Sequence, residues 1–408
     1  MVERILHILT QRPGRTGSGV TLDALTRCAA ADGVEQRVLV GAPDGADCAV
    51  EGVSPARVLP LRFETEALPF PVPGMSDVMP YRSTVFSAMD ADRLAAYRAA
   101  WSAHVSRALD GFRPQVIHAH HLWLVGAMLK DLAPGIPVVS HCHATGLRQM
   151  VLCPHLAGEV REGCRRNDVV AVLHGLHATQ VAKTLDLPSA RIRAVGAGYR
   201  DDIFRWRGDG ARAGHVIYIG KYSISKGLPC LLDAMSEVWR ARPDVVLHVV
   251  GDGAGDEAEE LRARMRTMSP GVVLHGTLGQ VALARLMNDC AVCVLPSFYE
   301  GVPLVLAEAL ACGCRLVCTD LPGVRDQLAA PFGDALTLVP PPRLEGVDRP
   351  RPEDLPAFVS DLAAALGAAL ERPALGDPSL ARPGALAGFT WPAVYGRVAA
   401  IWNELAAG

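Results

Sequence analysis

The run Val245-Val-Leu-His-Val-Val-Gly251 and its counterpart Ala291-Val-Cys-Val-Leu-Pro296 are apolar at nearly every position. A strand with one wet face alternates apolar and polar side chains, whereas a strand apolar at successive positions is covered on both faces. Each run stops at a backbone breaker, Gly251 or Pro296, and a helical pattern follows at Glu257–Met268 or Val302–Ala311. A parallel sheet sandwiched between helices is the expected setting.

The same alternation extends to both ends of the chain. In the first half, strands are expected at 4–9, 36–40, 116–118, 138–141, 169–173 and 192–195. Helices are expected between them at 20–31, 93–109, 122–132 and 176–185. In the second half, strands at 215–219, 245–250, 272–274, 290–295 and 316–318 alternate with helices at 228–240, 257–268, 281–288, 302–311 and 324–328. The α/β pattern written twice predicts two doubly wound, Rossmann-like parallel-sheet domains. Their boundary falls near Gly196-Ala-Gly-Tyr-Arg-Asp-Asp202, where two glycines free the backbone. The expected division is 1–200, 201–385 and a C-terminal segment 386–408. Proline-rich breaks occur at 340–352 and again around AALERPALGDPSLARPG, and 391–405 reads as a final helix with Trp and Tyr anchors. Residues 61–90 lack helical periodicity and read as a long irregular insertion, the kind of segment that is more often functional than idle.

Composition narrows the class without naming it. The 408 residues carry 40 Lys plus Arg against 43 Asp plus Glu, a formal charge of −3, which argues against a nucleic-acid or anionic-membrane surface. No apolar run is long enough for a transmembrane span or a secretory core, so a cytoplasmic location without integral membrane association is expected. Eleven scattered cysteines, several inside apolar strands, read as reduced thiols packed in a core.

Chemistry concentrates in a few stretches. In Ser297-Phe-Tyr-Glu-Gly-Val-Pro-Leu-Val-Leu-Ala-Glu-Ala-Leu-Ala-Cys-Gly313, Glu300 sits at an expected helix entry and Glu308 eight residues on. In a helix that is roughly 12 Å along the axis, with both carboxylates on one broad face. The spacing suits a ligand with two polyols joined by a diphosphate, whose anionic part would meet the free N–H groups of residues 301–304. Glu308 is the sole charge among Leu306, Ala307, Ala309 and Leu310, which weakens its reading as a solvated helix charge. In Ile219-Gly-Lys-Tyr-Ser-Ile-Ser-Lys-Gly227, Lys221 and Lys226 flank a loop between strand and helix, where two ammonium groups can neutralise a departing diphosphate. The loop Arg12-Pro-Gly-Arg-Thr-Gly-Ser-Gly19 lets backbone approach a ligand, but it has the spacing of neither a P-loop nor a dinucleotide fingerprint.

Histidines cluster at expected strand ends of the first domain: His118, His120, His121 and His143, with Trp123 beside them. Open α/β sheets bind ligands there, so these residues are candidates for an acceptor pocket. Tyr81 and Arg82, in the irregular segment with Phe70, Met75, Met79 and Phe86, are further candidates. His141, Cys142, His143, Cys153, His155 and Cys164 invite a zinc reading, but their spacing does not match paired-ligand knuckles, and no metal is expected.

The ordered set of motifs resembles glycosyltransferase family 4. It comprises IGKYSISKG at 219–227, VVGDGAGDEAEEL at 249–261, VLHGTL at 273–278 and SFYEGVPLVLAEALACG at 297–313. In the first half, PQVIHAHHLW, PVVSHCHATG and the Gly17-Ser-Gly19 loop resemble the same family more loosely. The resemblance implies the GT-B architecture, with two domains facing across a cleft and a C-terminal helix returning to the first. It implies a retaining transfer of a hexose-type sugar from a nucleotide sugar, without metal or other cofactor. Glu308 matches the carboxylate that holds the ribose hydroxyls, and Glu300 the one beside the donor sugar, assisted by backbone N–H groups of Gly301, Val302, Pro303 and Leu304. Lys226 and Lys221 match the basic pair on the diphosphate, although the family usually has arginine where Lys221 stands. Gly17 and Gly19 match a first-domain loop near the diphosphate, and His143 a histidine near the transferring sugar. Gly220, Gly251 and His275 fall on the donor side by the same resemblance. Uridine is favoured over guanosine, a soluble small molecule over a lipid as acceptor, and a homodimer is compatible. The alternatives on this fold are a non-catalytic nucleotide-sugar binder and a nucleotide-sugar epimerase.

Overall fold

The computed structural model describes residues 1–14, 16–76, 79–208, 212–300, 303–346 and 348–408. The chain forms two compact units, Met1–Ala197 with Trp391–Gly408 and Gly198–Thr390. Unit 1 holds β1 (Arg4–Leu9), β2 (Glu35–Pro43), β3 (Val58–Phe63), β4 (Val116–Ala119), β5 (Val138–Cys142), β6 (Val169–Val172) and β7 (Ile192–Ala194). They lie in the order β3-β2-β1-β4-β5-β6-β7, every neighbouring pair parallel. Helices α1 (Gly17–Ala31), α2 (Ala91–Asp110), α3 (Leu124–Leu132), α4 (Thr145–Leu152), α5 (Pro154–Cys164) and α6 (Gly175–Leu185) connect them.

Unit 2 repeats the plan with β8 (Arg212–Ile219), β9 (Val246–Val250), β10 (Val272–Gly276), β11 (Cys290–Leu295), β12 (Arg315–Thr319) and β13 (Leu336–Val339) in the order β10-β9-β8-β11-β12-β13. Its main helices are α7 (Leu228–Ala241), α8 (Asp256–Thr267), α9 (Gln280–Asn288), α10 (Leu304–Ala311) and α11 (Leu355–Glu371), and α12 (Trp391–Ala407) then packs in unit 1. Every residue of Cys290–Leu295 is buried, as an apolar strand between two helical layers requires. Phe358, Leu362 and Leu366 of α11 are buried in the same apolar cluster as Leu228, Leu231 and Met235 of α7. Each such side chain contributes about 1.5–3 kcal/mol by leaving water.

Several elements depart from the sequence expectation. β3 occupies 58–63, so the irregular segment begins only after Phe63, and its Phe70, Met75 and Phe86 are buried in the unit 1 core. Pro60 and Arg62 within Val58-Leu-Pro-Leu-Arg-Phe63 hide the strand pattern, and the strand is at a sheet edge, where proline is tolerated. The helix expected from Val20 begins at Gly17, capped by the Thr16 side chain on Gly19 N–H. The helix expected from Val302 begins at Leu304.

Candidate active site

In each sheet the strand order reverses beside its first strand, between β1 and β4 in unit 1 and between β8 and β11 in unit 2. Loops leaving the carboxyl ends on either side of such a point diverge and leave a crevice for ligands. In unit 2 those two loops carry Lys221, Lys226 and Glu300.

They are joined by their backbones. Gly227 adopts φ +66°, and a Cβ there would lie 2.0 Å from the Pro296 carbonyl oxygen, so only glycine lets the turn after β8 approach the end of β11. Phe298 N–H donates to Ser225 O at 2.9 Å. The Ile224–Lys226 turn is held from the far side by Glu257 of α8, whose carboxylate accepts from Ile224 N–H. Gly251, at φ +131°, closes the third loop, because its Cβ would sit 1.9 Å from Gly220 O. The N–H groups of Gly220 and Gly251 are spent on Val250 O and Gly276 O, at 3.0 and 2.9 Å. Both glycines therefore serve close approach, not donation to a ligand.

On this frame Lys226 Nζ lies 2.6 Å from Glu300 Oε1 and 3.4 Å from Tyr299 O, with the ammonium and carboxylate both mostly screened from solvent. The structure thus pairs two groups that the sequence reading assigned to separate parts of a ligand. Lys221 is exposed, with no ion-pair partner among the described residues, and its carbonyl accepts from the Tyr218 hydroxyl at 2.9 Å. Tyr218 is fully buried. Burial, reinforced by the Glu300 charge, pushes its phenol far up, so it is a neutral donor.

Glu300 lies in the loop, outside α10, so the helical spacing between Glu300 and Glu308 does not apply. Gly301 and Val302 lie outside the described residues. Pro303 stands at the N-cap of α10 and has no N–H to offer, which removes it from the expected donor set, while Leu304 opens the helix. Glu308, in the second turn, is partly open to solvent, and its carboxylate has no cationic partner among the described residues. Burial among Leu306, Ala307, Ala309 and Leu310 pushes its pKa up to about 7. His275 Nε2 lies 2.9 Å from His248 Nδ1, and His248 Nε2 lies 2.8 Å from His215 Nδ1, a line of imidazoles across β10, β9 and β8.

The equivalent point of unit 1 has another chemistry. His118 and His120 are fully buried, His121 and Trp123 nearly so, which corrects the expectation that these four offer surface to an acceptor. His118 Nδ1 accepts the Trp402 indole N–H at 3.0 Å, and His120 Nε2 lies 3.3 Å from His7 Nδ1. His121 joins Thr10 Oγ1 at 3.3 Å to Ser18 Oγ at 3.1 Å, and Ser18 donates on to Gln11 Oε1. These bonds fix the first turn of α1, where Gly17 and Gly19 lie inside the helix instead of in a loop before it. His143 is only partly buried and stacks on His141 at 4.2 Å. Tyr81 is partly buried under the Arg12 guanidinium, and Arg82 is exposed, 3.6 Å from Glu64.

His118, His120 and His141 bring one ring nitrogen each within 4.8 Å of one another, the group among the described residues that could surround an ion. The indole N–H on His118 Nδ1 leaves the proton on Nε2, so neutral His118 has no lone pair to give. The cysteines of the zinc reading are elsewhere: Cys164 faces Trp123 O and Cys153 faces Gln149.

Residues 16–198 match the family described as glycosyl transferase 4-like domain, and residues 213–345 match glycosyl transferases group 1. The chain belongs to glycosyltransferase family 4. Among curated relatives, the glycogen synthase of Mycobacterium tuberculosis is 27% identical over 225 residues, 52% of this chain and 54% of that protein. The D-inositol 3-phosphate glycosyltransferase of Segniliparus rotundus is 27% identical over 299 residues, 65% of each. The chain thus matches between half and two thirds of the length of these relatives. Solved structures share the GT-B fold of this glycosyltransferase across nearly its whole length. Sucrose-phosphate synthase from Thermosynechococcus elongatus has a TM-score of 0.67 at 18% identity, covering 99% of both chains. Anabaena HepE in complex with UDP and glucose has a TM-score of 0.63 at 16% identity, covering 99% of this chain and 100% of that one.

Proposed function

We propose that unit 2 of this glycosyltransferase binds a nucleoside diphosphate sugar, UDP-linked in preference to GDP-linked, and that the enzyme transfers the hexose with retention. The acceptor is a soluble small molecule such as a cyclitol, an amino sugar, a thiol or a natural-product aglycone. One observation carries the reading: Lys226 and Glu300 meet at 2.6 Å between the two switch-point loops, and the helix that follows carries a carboxylate without a cationic partner. A pyrophosphate competes with Glu300 for the Lys226 ammonium and frees that carboxylate for sugar hydroxyls. Lys221, exposed and without an ion-pair partner among the described residues, adds a second positive charge. Glu308 accepts from the two ribose hydroxyls. The UDP and UDP-glucose complexes of Anabaena HepE support the choice of nucleotide.

In the reaction the bond from the anomeric carbon to the β-phosphate oxygen breaks. The acceptor's heteroatom bonds to that carbon on the same face, and its proton passes to the departing phosphate oxygen. No protein nucleophile is assigned. The lysines stabilise charge on the leaving diphosphate, so catalysis is positioning plus electrostatics. Calorimetric titration with UDP-glucose, GDP-mannose, UDP and GDP tests the donor, and the anomeric configuration of the product tests retention. Absence of binding by all four overturns the reading. The described residues contain no helix long and apolar enough to cross a membrane, in keeping with the choice of a soluble acceptor and a cytoplasmic setting.

A further inference from the structure

A hollow of about 450 Å³ opens in unit 2 at the amino ends of the strands, away from the loops that carry Lys226 and Glu300. Its place follows from its lining. Ala311 ends α10 just before β12, and Trp206 is held by Asn288, which ends α9 just before β11. The volume is in the range of small-ligand sites, which span roughly 300–1,000 Å³.

Trp206 is 36% exposed, and the fold fixes it in place. The buried Asn288 side chain accepts from Arg207 N–H at 2.9 Å and donates to Arg205 O at 3.1 Å, gripping the backbone on both sides of the tryptophan. It also donates to Ala284 O at 2.8 Å, so the clamp is rooted in α9. A buried amide that satisfies its donors and acceptor by holding an exposed indole in one place is a platform, not a stray surface residue. Beside the indole, the Arg205 guanidinium and the Asp201 carboxylate are exposed and have no partner among the described residues, whereas Asp377 and Arg382 are committed to Ser379 and Asp334.

We propose that this hollow is a second, non-catalytic site for a neutral saccharide, with the Trp206 ring under the C–H face of a pyranose and Arg205 and Asp201 on its hydroxyls. Charge selects the class of ligand. Asp377 and Arg382 are already engaged, which leaves Asp201 and Arg205, one acceptor and one donor set of opposite sign, and a neutral polyol that donates to the first, accepts from the second and lays one apolar face on the ring matches that lining. The site is separate from the donor-binding reading and does not depend on it.

The test is calorimetric titration of the full chain, with and without UDP, using maltotriose and cellotriose as probes. One trisaccharide is expected to bind with UDP present. Trp206→Ala is expected to weaken that binding by roughly tenfold or more, Trp206→Phe less, and Asp201→Asn or Arg205→Ala severalfold. Both of these last side chains are exposed, so those two variants remain informative if the tryptophan variants misfold. UDP affinity and turnover on a small acceptor are expected to stay unchanged in all four. The proposal is overturned if neither trisaccharide binds, if UDP displaces it, or if binding survives in both Trp206→Ala and Arg205→Ala.

Discussion

The two sheets reverse their order at equivalent points, yet they put opposite kinds of side chain there. Unit 2 presents a lysine–glutamate pair, a free lysine and a carboxylate whose pKa lies about 7. Unit 1 presents a packed stack of imidazoles, His7, His118, His120 and His141, that burial keeps neutral. The lesson is that the topology only marks the place. The charge of the loop tips decides whether that place meets a diphosphate or braces its own walls.

The largest effect that can break this contrast lies in unit 2. Lys226→Ala is expected to lower kcat by roughly 10²–10³-fold, as loss of one transition-state charge donor does, and Lys226→Arg to recover part of it. Initial rates at saturating UDP-sugar measure this, and near-normal turnover of the alanine variant removes the leaving-group role. Glu308→Gln is next, with donor affinity expected to fall roughly tenfold or more. The ionised carboxylate accepts ribose hydroxyls best, so affinity of the native enzyme for UDP-glucose should rise from pH 6 to pH 8 as Glu308 loses its proton. The glutamine variant should show no such rise, and titrations across that range decide it.

Acid sharpens the comparison further. His7 and His121 have pKa values pulled down by burial to about 3, against 6.5 when unfolded. Their contribution is complete above pH 6.5 and is lost as the pH falls toward 3, because the unfolded chain then binds more protons. Glu308 acts in the opposite sense: its raised pKa destabilises the folded unit above about pH 4.5, fully so beyond 7. Hydrogen exchange read by mass spectrometry at pH 7 and pH 5 should show unit 1 loosening relative to unit 2. Equal change in both units breaks the contrast. The smallest effect is Trp402→Phe, which removes the donor to His118 and should cost about 1 kcal/mol of stability with donor affinity intact. A thermal melt and a UDP titration check it.

Much of this was legible in the sequence, for identifiable reasons. The strand at 290–295 is a continuous apolar run ended by Pro296, that at 4–9 is apolar but for Arg4 and His7, and the structure reproduces both. β13 was missed because Leu336-Thr-Leu-Val339 is short and lies at a sheet edge before three prolines, and α11 because proline breaks flank it. At the site, periodicity could mark Glu300, Glu308, Lys221 and Lys226 as charges near breakers. It could not show that Lys226 closes on Glu300, since 74 residues separate them. Nor could it single out Glu257, Ser225 or Phe298 within the motifs that contain them, or Tyr218 just outside, because their roles in holding the loops are contacts to backbone. The histidines misled in a different way: strand ends attract ligands, but imidazoles that stack on one another and accept from a tryptophan can be interior.

The Gly227–Pro296 contact and the Ser225–Phe298 bond also bear on redesign. Two segments far apart in the chain behave there as a single rigid casting. Altering sugar preference by grafting either segment alone from another enzyme would leave a mismatched seam, so residues 220–227 and 296–300 should be exchanged together as one cassette.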